Sequence, residues 1–424
     1  MTRADSSFLA IVFALRPVLY IAFAVLGFLA LSRLFTFQTR LSCCTVADIQ
    51  ELLGPSNTSL QDMLIARAIP NQRLVSAFGI TNTFVSHDIN THRAFRNQAT
   101  SFIHELLRNP RRGWASWASE ASGAARLQLL SSSPKLPFDR FIQSVTFRVV
   151  ILGLLNPTLE PTSFIQSEVD FITSSINSLW DQSKNSQCED PVLLDRLKST
   201  LRAYLPDEET FPNPLDFIIP TWESLWRVVA IALAHIHCDQ PMQSAFIRFL
   251  HDPSNGNFDQ RLNSQPSVED FIVETLRLYP PTKRIARTLP KRIGVPWIRS
   301  TSHFLGLLAA DVDTRIVADI ETVQRSQIWS SSDTAQCAGA DVFDATRHRY
   351  NIRSQTDAYM PFGYGRLGCV AKDWAPMAAA LIVGAVVEEM DLEAYELVAG
   401  EKVGGRTGWE GWIIRKRACQ GVQV

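Results

Sequence analysis

The sequence predicts one large, mainly α-helical domain with small β-sheets, carried behind an N-terminal transmembrane helix. Helical periodicity dominates the chain, strand-like runs are short and late, and no Pro/Gly-rich linker divides residues 41–424. The helical patterns cover 90–108, 138–155, 163–183, 191–204, 215–237, 242–250, 267–278 and 374–390. The strand patterns cover 284–289, 301–308 and 411–415. Two units follow: an anchor over 1–40 and a single domain over 41–424.

The anchor rests on residues 8–37, which are nearly all apolar, broken by Arg16 and Pro17 and closed by Arg33 and Arg40. From Pro17 to Phe35 the run is long enough to cross a hydrocarbon core, for which roughly 20 residues are needed. Arg16 can extend its charged head to the interface. A cleaved signal peptide is the weaker reading, because no short apolar region ends at a small-x-small site. Positive charge on both flanks leaves the orientation open, and the sequon at Asn57 matters only for a lumenal domain.

Of the 424 residues, 46% are hydrophobic and 20% charged, with a formal net charge of -1. Such a chain has no global basic field, which argues against nucleic acid as a partner. The seven cysteines, Cys43, Cys44, Cys188, Cys238, Cys337, Cys369 and Cys419, show no zinc-like pairing. They read as reduced thiols of a cytosol-facing domain.

The segment richest in chemistry is Pro361-Phe362-Gly363-Tyr364-Gly365-Arg366-Leu367-Gly368-Cys369-Val370-Ala371, a glycine-rich loop that delivers one cysteine ahead of an apolar helix. Gly363, Gly365 and Gly368 permit positive φ and close approach to a flat ligand. Phe362 can shield a sulfur, and the dipole of the following helix favours thiolate. A glycine-rich turn holding a buried structural cysteine is the plainer alternative. Upstream, Glu274-Thr275-Leu276-Arg277 places an acid and an arginine on one helical face before the helix-stopping Pro280-Pro281, and Arg347 is a third candidate partner. His235-Ile236-His237-Cys238 is not a metal site, since residues two apart on a helix face different ways. Trp114, Trp117, Phe138 and Phe141 suit core better than a substrate pocket.

In type and order these residues resemble the cytochrome P-450 superfamily of haem-thiolate monooxygenases. The resemblance implies that Cys369 is the axial ligand to the iron of haem b (iron protoporphyrin IX), and that Phe362, Gly363, Gly365 and Arg366 surround the cofactor, with Arg366 on a propionate. It implies that Glu274, Arg277 and Arg347 form a buried structural triad. Pro220-Thr221-Trp222-Glu223-Ser224 stands where the family carries an acid and an alcohol for proton delivery, which makes Glu223 and Ser224 the catalytic pair. His92-Arg93-Ala94-Phe95-Arg96 resembles the family's propionate-holding helix, through His92 and Arg96; Trp114 and Trp117 compete for the tryptophan often found there.

The likeness spans most of residues 80–424 and has departures. Leu367 stands where arginine is frequent, Ala371 where glycine is, Ala345 where proline is, and Pro376 is expected to disturb the helix after the loop. The stretch before His92 is short, so a reduced N-terminal sheet is expected. By analogy the chain resembles fungal microsomal members that tailor secondary metabolites. The implied partners are an NADPH-dependent flavoprotein reductase, a lipophilic small-molecule substrate and membrane lipid. The implied location is a single-pass position in the endoplasmic reticulum with the catalytic domain cytosolic. Two other functions keep part of this reading: a haem-thiolate isomerase or dehydratase, and a catalytically inactive membrane-anchored relative.

Overall fold

The computed structural model describes residues 41–108, 113–130, 135–184, 190–262, 265–289, 314–330, 339–349 and 353–417. The anchor over 1–40 and the strand expected over 301–308 lie outside them. In chain order, β1 (Leu41–Cys43) leads to α1 (Val46–Leu53), α2 (Leu60–Asn71), α3 (Arg73–Phe78), α4 (Ile89–Arg108), α5 (Gly113–Leu130), β2 (Lys135–Pro137) and α6 (Phe138–Val150). Next come α7 (Gln166–Gln182), α8 (Pro191–Arg202), α9 (Leu215–Ile236), α10 (Gln240–His251), α11 (Asn255–Asp259) and α12 (Val268–Leu278). The remainder is β3 (Arg284–Leu289), β4 (Thr314–Asp319), α13 (Ile320–Gln324), α14 (Arg353–Ala358), α15 (Ala375–Leu392), β5 (Tyr395–Val398) and β6 (Ile413–Lys416).

Side-chain caps account for several helix starts. Thr45, Ser59, Asp190 and Asp239 each accept a backbone N–H in the first turn of the helix that follows. α12 begins with a reciprocal box, in which Ser267 Oγ accepts from Asp270 N at 3.0 Å and Asp270 accepts from Ser267 N at 2.9 Å. The single helix expected over 138–155 is α helical only to Val150 and ends in a π turn, Ile151–Leu155. Pro376 does not disturb α15, because it sits in the first turn, where its missing N–H has no partner to lose.

α15 is the hub of the core, packed by α5, α9, α10 and α12. Trp117 is fully buried and donates from Nε1 to Ala378 O at 3.1 Å, pinning α5 to α15. Phe138 and Phe141 are buried as well, so this aromatic cluster is core. α9 is long and apolar enough to cross a membrane, yet 78% of its most apolar window is buried inside the domain. Pro220 lies within it and leaves Asp216 O without its helical donor. The Asn82 side-chain amide fills that place at 2.9 Å.

Two small sheets flank the helices. In one, β4 is central, parallel to β1 and antiparallel to β3, with Arg287 opposite Ile316. In the other, β6 runs antiparallel between β2 and β5. The first sheet has three strands among the described residues.

Candidate active site: a cysteine loop and its cationic flank

The loop before α15 closes on itself. Cys369 N donates to Phe362 O at 2.9 Å, and Gly368 N donates to Gly365 O at 3.0 Å. Gly363 and Gly365 have φ of +73° and +69°. A Cβ on Gly365 would stand 2.8 Å from Gly54 Cα, so the loop is pressed against the end of α1. Gly368 differs from expectation, because its φ is -61°. It is constrained instead by closeness, a Cβ there meeting Gly365 O at 3.1 Å.

Cys369 presents open surface, yet burial of its sulfur pushes the thiol pKa up, against the Ala371 N–H and Arg96, which lower it. An accessible residue with a crowded sulfur lies in a concavity. Ala371 N reaches Sγ at 3.4 Å. That donor belongs to the turn and not to the helix, since α15 starts only at Ala375. A recess of about 180 Å³ opens beside the loop between α4 and α15, lined by Ile103, His104, Val370 and Trp374 among others.

α4 clamps the loop. Arg96 Nη1 donates to Gly368 O at 3.2 Å and to Arg366 O at 3.3 Å. One turn earlier His92 is 5% exposed, and its Nδ1 lies 2.7 Å from Thr83 Oγ1. Arg67 Nη2 donates to the same hydroxyl oxygen. The Thr83 proton has no other acceptor among the described residues, so it goes to Nδ1 and His92 carries its own proton on Nε2. Burial and then Arg67, Arg96 and Arg93 lower the His92 pKa to about 4, which keeps it neutral.

Two further arginines complete this flank. Arg67, on α2, and Arg287, on β3, are each 6% exposed. Neither has a carboxylate partner among the described residues, and Arg67 Nε is buried without any acceptor. Burial, then Arg287 and Arg96, bring the Arg67 pKa down to about 9; burial brings Arg287 down to about 10. Unpaired buried cations are costly, so a flank built this way is complementary to an anion. The sequence reading missed both residues. The only signal was an arginine inside the apolar run Leu64-Ile65-Ala66-Arg67-Ala68-Ile69 and one in the strand after the Pro280-Pro281 stop.

Arg366 is placed elsewhere than expected. Its guanidinium donates to Thr58 O and contacts Met63 Sδ at 3.2 Å, so it ties the loop to the start of α2. The short 3₁₀ turn Gly365–Leu367 aims it there.

Glu274, Arg277 and Arg347 come together in full burial. Arg277 donates from Nε and Nη2 to the two Glu274 oxygens at 2.7 and 2.8 Å, and Arg347 Nε donates to Oε1 at 3.0 Å. Asp344 N and His348 Nε2, both at 2.9 Å, complete the carboxylate's partners. Burial pushes the Glu274 pKa up, but Arg277, His348 and Arg347 prevail and hold it at about 2. The remaining guanidinium donors reach the carbonyls of Gln324, Ala340, Trp329 and Val342, which fixes the meander before the cysteine loop.

Glu223 and Ser224 sit in a separate network on α9. Glu223 accepts from Arg227 Nη2 at 2.8 Å and from Arg406 Nε at 2.9 Å. Ser224 Oγ donates to Pro220 O at 3.3 Å. The described cysteines, Cys43, Cys44, Cys238 and Cys369, are free.

No protein-family model matches the chain. No curated protein matches it by sequence. Solved structures match it by shape. CYP175A1 of Thermus thermophilus aligns with a TM-score of 0.59 and 14% identity over 93% of this chain and 95% of its own. A six-coordinated cytochrome P-450 from the same species aligns at 0.54 and 15% over 89% and 99%. CYP154A1 of Streptomyces coelicolor aligns at 0.50 and 19% over 89% and 91%.

Proposed function

We propose that this chain, which has the cytochrome P-450 fold, is a haem-thiolate monooxygenase that oxidises a lipophilic small molecule. One observation carries the reading: Cys369, an exposed residue, stands on a loop clamped by Arg96, beside cationic donors that no described carboxylate neutralises. These residues fit haem b. Its two propionates match the unpaired Arg67 and Arg287, together with Arg96 and the Nε2–H of His92. Cys369 would supply the thiolate that holds the iron, and burial around its sulfur would keep water from it.

Haem bound here supplies activation of dioxygen. The protein's part is to hold the cofactor, exclude water and move protons. We assign proton movement to Glu223 and Ser224. Glu223 is held by two guanidiniums, so Ser224 is the freer donor of the pair. Electrons come from an NADPH-dependent flavoprotein reductase, and residues 1–40 anchor the chain in the endoplasmic reticulum with its catalytic domain cytosolic. The length of the apolar run supports the anchor. The pathway we assign is secondary metabolism, of the fungal microsomal type.

The test is the reduced, carbon monoxide-bound spectrum of the purified protein. Wild type shows a thiolate-type Soret band and Cys369→Ala does not; a wild type without the band refutes the reading. The engagement of Glu223 by Arg227 and Arg406 favours a second reading, a haem-thiolate isomerase or dehydratase that needs no proton relay. Reductase-dependent consumption of NADPH and oxygen separates the two.

A further inference from the structure

Segments far apart in sequence meet around one indole. Trp180, near the end of α7, packs against Phe78 of α3 with ring centroids 5.8 Å apart. The Arg406 guanidinium, from the loop between β5 and β6, lies 4.2 Å from the centroid of the Trp180 ring. Arg73, which opens α3, lies 5.3 Å from it.

The positive charge gathered here is not cancelled. Arg406 shares Glu223 with Arg227, so one carboxylate serves two guanidiniums. Arg73 donates to the neutral Ser183 hydroxyl. The nearby Asp181 is held by Lys184 at 2.8 Å. Arg73, Arg227 and Arg406 set against Glu223 therefore leave two positive charges over. The side chains of Arg406 and Glu223 are only 11% and 6% exposed, while Arg73 and Trp180 are half-buried and open to a ligand. Burial, and then Arg315, lower the Arg73 pKa. Arg406 Nη1 and the Nε and Nη2 of Arg73 have no acceptor among the described residues.

Guanidinium groups bind carboxylates through forked, charge-assisted hydrogen bonds. An indole that both of them approach, packed on Phe78, gives a carbon skeleton an apolar surface. We propose that Arg73 and Arg406, on the ring of Trp180, bind the carboxylate of an amphipathic organic acid, and that this acid is the substrate. The substrate half rests on the haem-thiolate reading, since it is Glu223 of α9 that links this site to the helix assigned to oxygen activation.

The test uses the full-length, haem-loaded protein with laurate and the neutral 1-dodecanol as probes, read by tryptophan fluorescence and by displacement of the Soret band. Wild type is expected to bind laurate roughly tenfold or more tightly than dodecanol, an advantage that weakens with salt. Arg73→Gln, which leaves the Glu223 pairs intact, removes most of that preference without changing dodecanol binding, and Arg73→Lys restores part of it. Trp180→Phe identifies which fluorescence change reports the site. Equal affinity for acid and alcohol, or an unchanged ratio in Arg73→Gln, overturns the proposal. Acid-selective fluorescence with an unmoved Soret band overturns the substrate half. A wild type lacking the thiolate-type band defeats the haem reading and the substrate half with it, while the fluorescence ratio still decides the anion site.

Discussion

Arg347 Nε donates to Glu274 Oε1 at 3.0 Å, across 73 residues of chain. This contact, with Arg277 on the other side of the carboxylate, ties α12 to the meander that leads into the cysteine loop. Arg347→Ala leaves Glu274 short of one charge in a fully buried site. The expected loss is about 3–5 kcal/mol of stability. Urea unfolding of the purified variant checks it, and a loss below about 1 kcal/mol contradicts the role.

His92 gives a pH dependence of known sign. Unfolded, it binds a proton below about pH 6.5; folded, burial and three arginines hold that binding down to about 4. Between these values the unfolded state binds more protons. Stability is therefore complete above about pH 6.5 and falls as pH drops toward 4, by roughly 2–3 kcal/mol from this residue. His92→Gln should flatten that part of the profile. Glu274, held near 2, adds a further loss below its ordinary value of 4.5.

Arg287 offers opposite signs in one variant. Arg287→Leu removes a buried cation without a carboxylate partner, so the haem-free protein should unfold at equal or higher urea. The loaded protein should lose haem about ten- to a hundredfold faster, as one charge-assisted bond to a propionate is missing. Haem transfer to apomyoglobin measures this, and an unchanged transfer rate removes Arg287 from the proposed propionate site.

Glu223 and Ser224 separate by stability and coupling. Glu223→Gln leaves Arg227 and Arg406 without their shared acid and should cost roughly 3 kcal/mol. Ser224→Ala removes a hydroxyl bonded only within its own helix and should be close to neutral in unfolding. If Ser224 moves protons, that variant consumes NADPH with less product formed per oxygen. Unimpaired coupling in Ser224→Ala excludes it from the relay.

What the sequence made legible followed from periodicity and local spacing. α4, α9 and α12 carry apolar positions at helical intervals, α15 is a long apolar run, and Glu274 and Arg277 are one turn apart, so these were readable. α5 was not read as a helix, because Gly113–Leu130 is rich in Ala, Ser and Gly and its apolar residues do not gather on one face. α1 and α3 are short, and α2 has a weak apolar face and a proline near its end, so this mixed stretch hides them. Arg67 and Arg287 lie on different elements and become one flank only through tertiary packing. Arg366 misled by its closeness to Cys369, since a single 3₁₀ turn sends its side chain to Thr58.

Thr81, Asn82 and Thr83 are three successive residues with two allegiances. The first two bind Asp216, including the carbonyl that Pro220 leaves open in α9; the third joins Arg67 to His92. The proline turn of α9 and the tautomer of a histidine on α4 thus share one short tether. A displacement of that turn reaches His92 through the single peptide unit between Asn82 and Thr83, so the setting of this histidine and the local shape of α9 cannot be tuned independently.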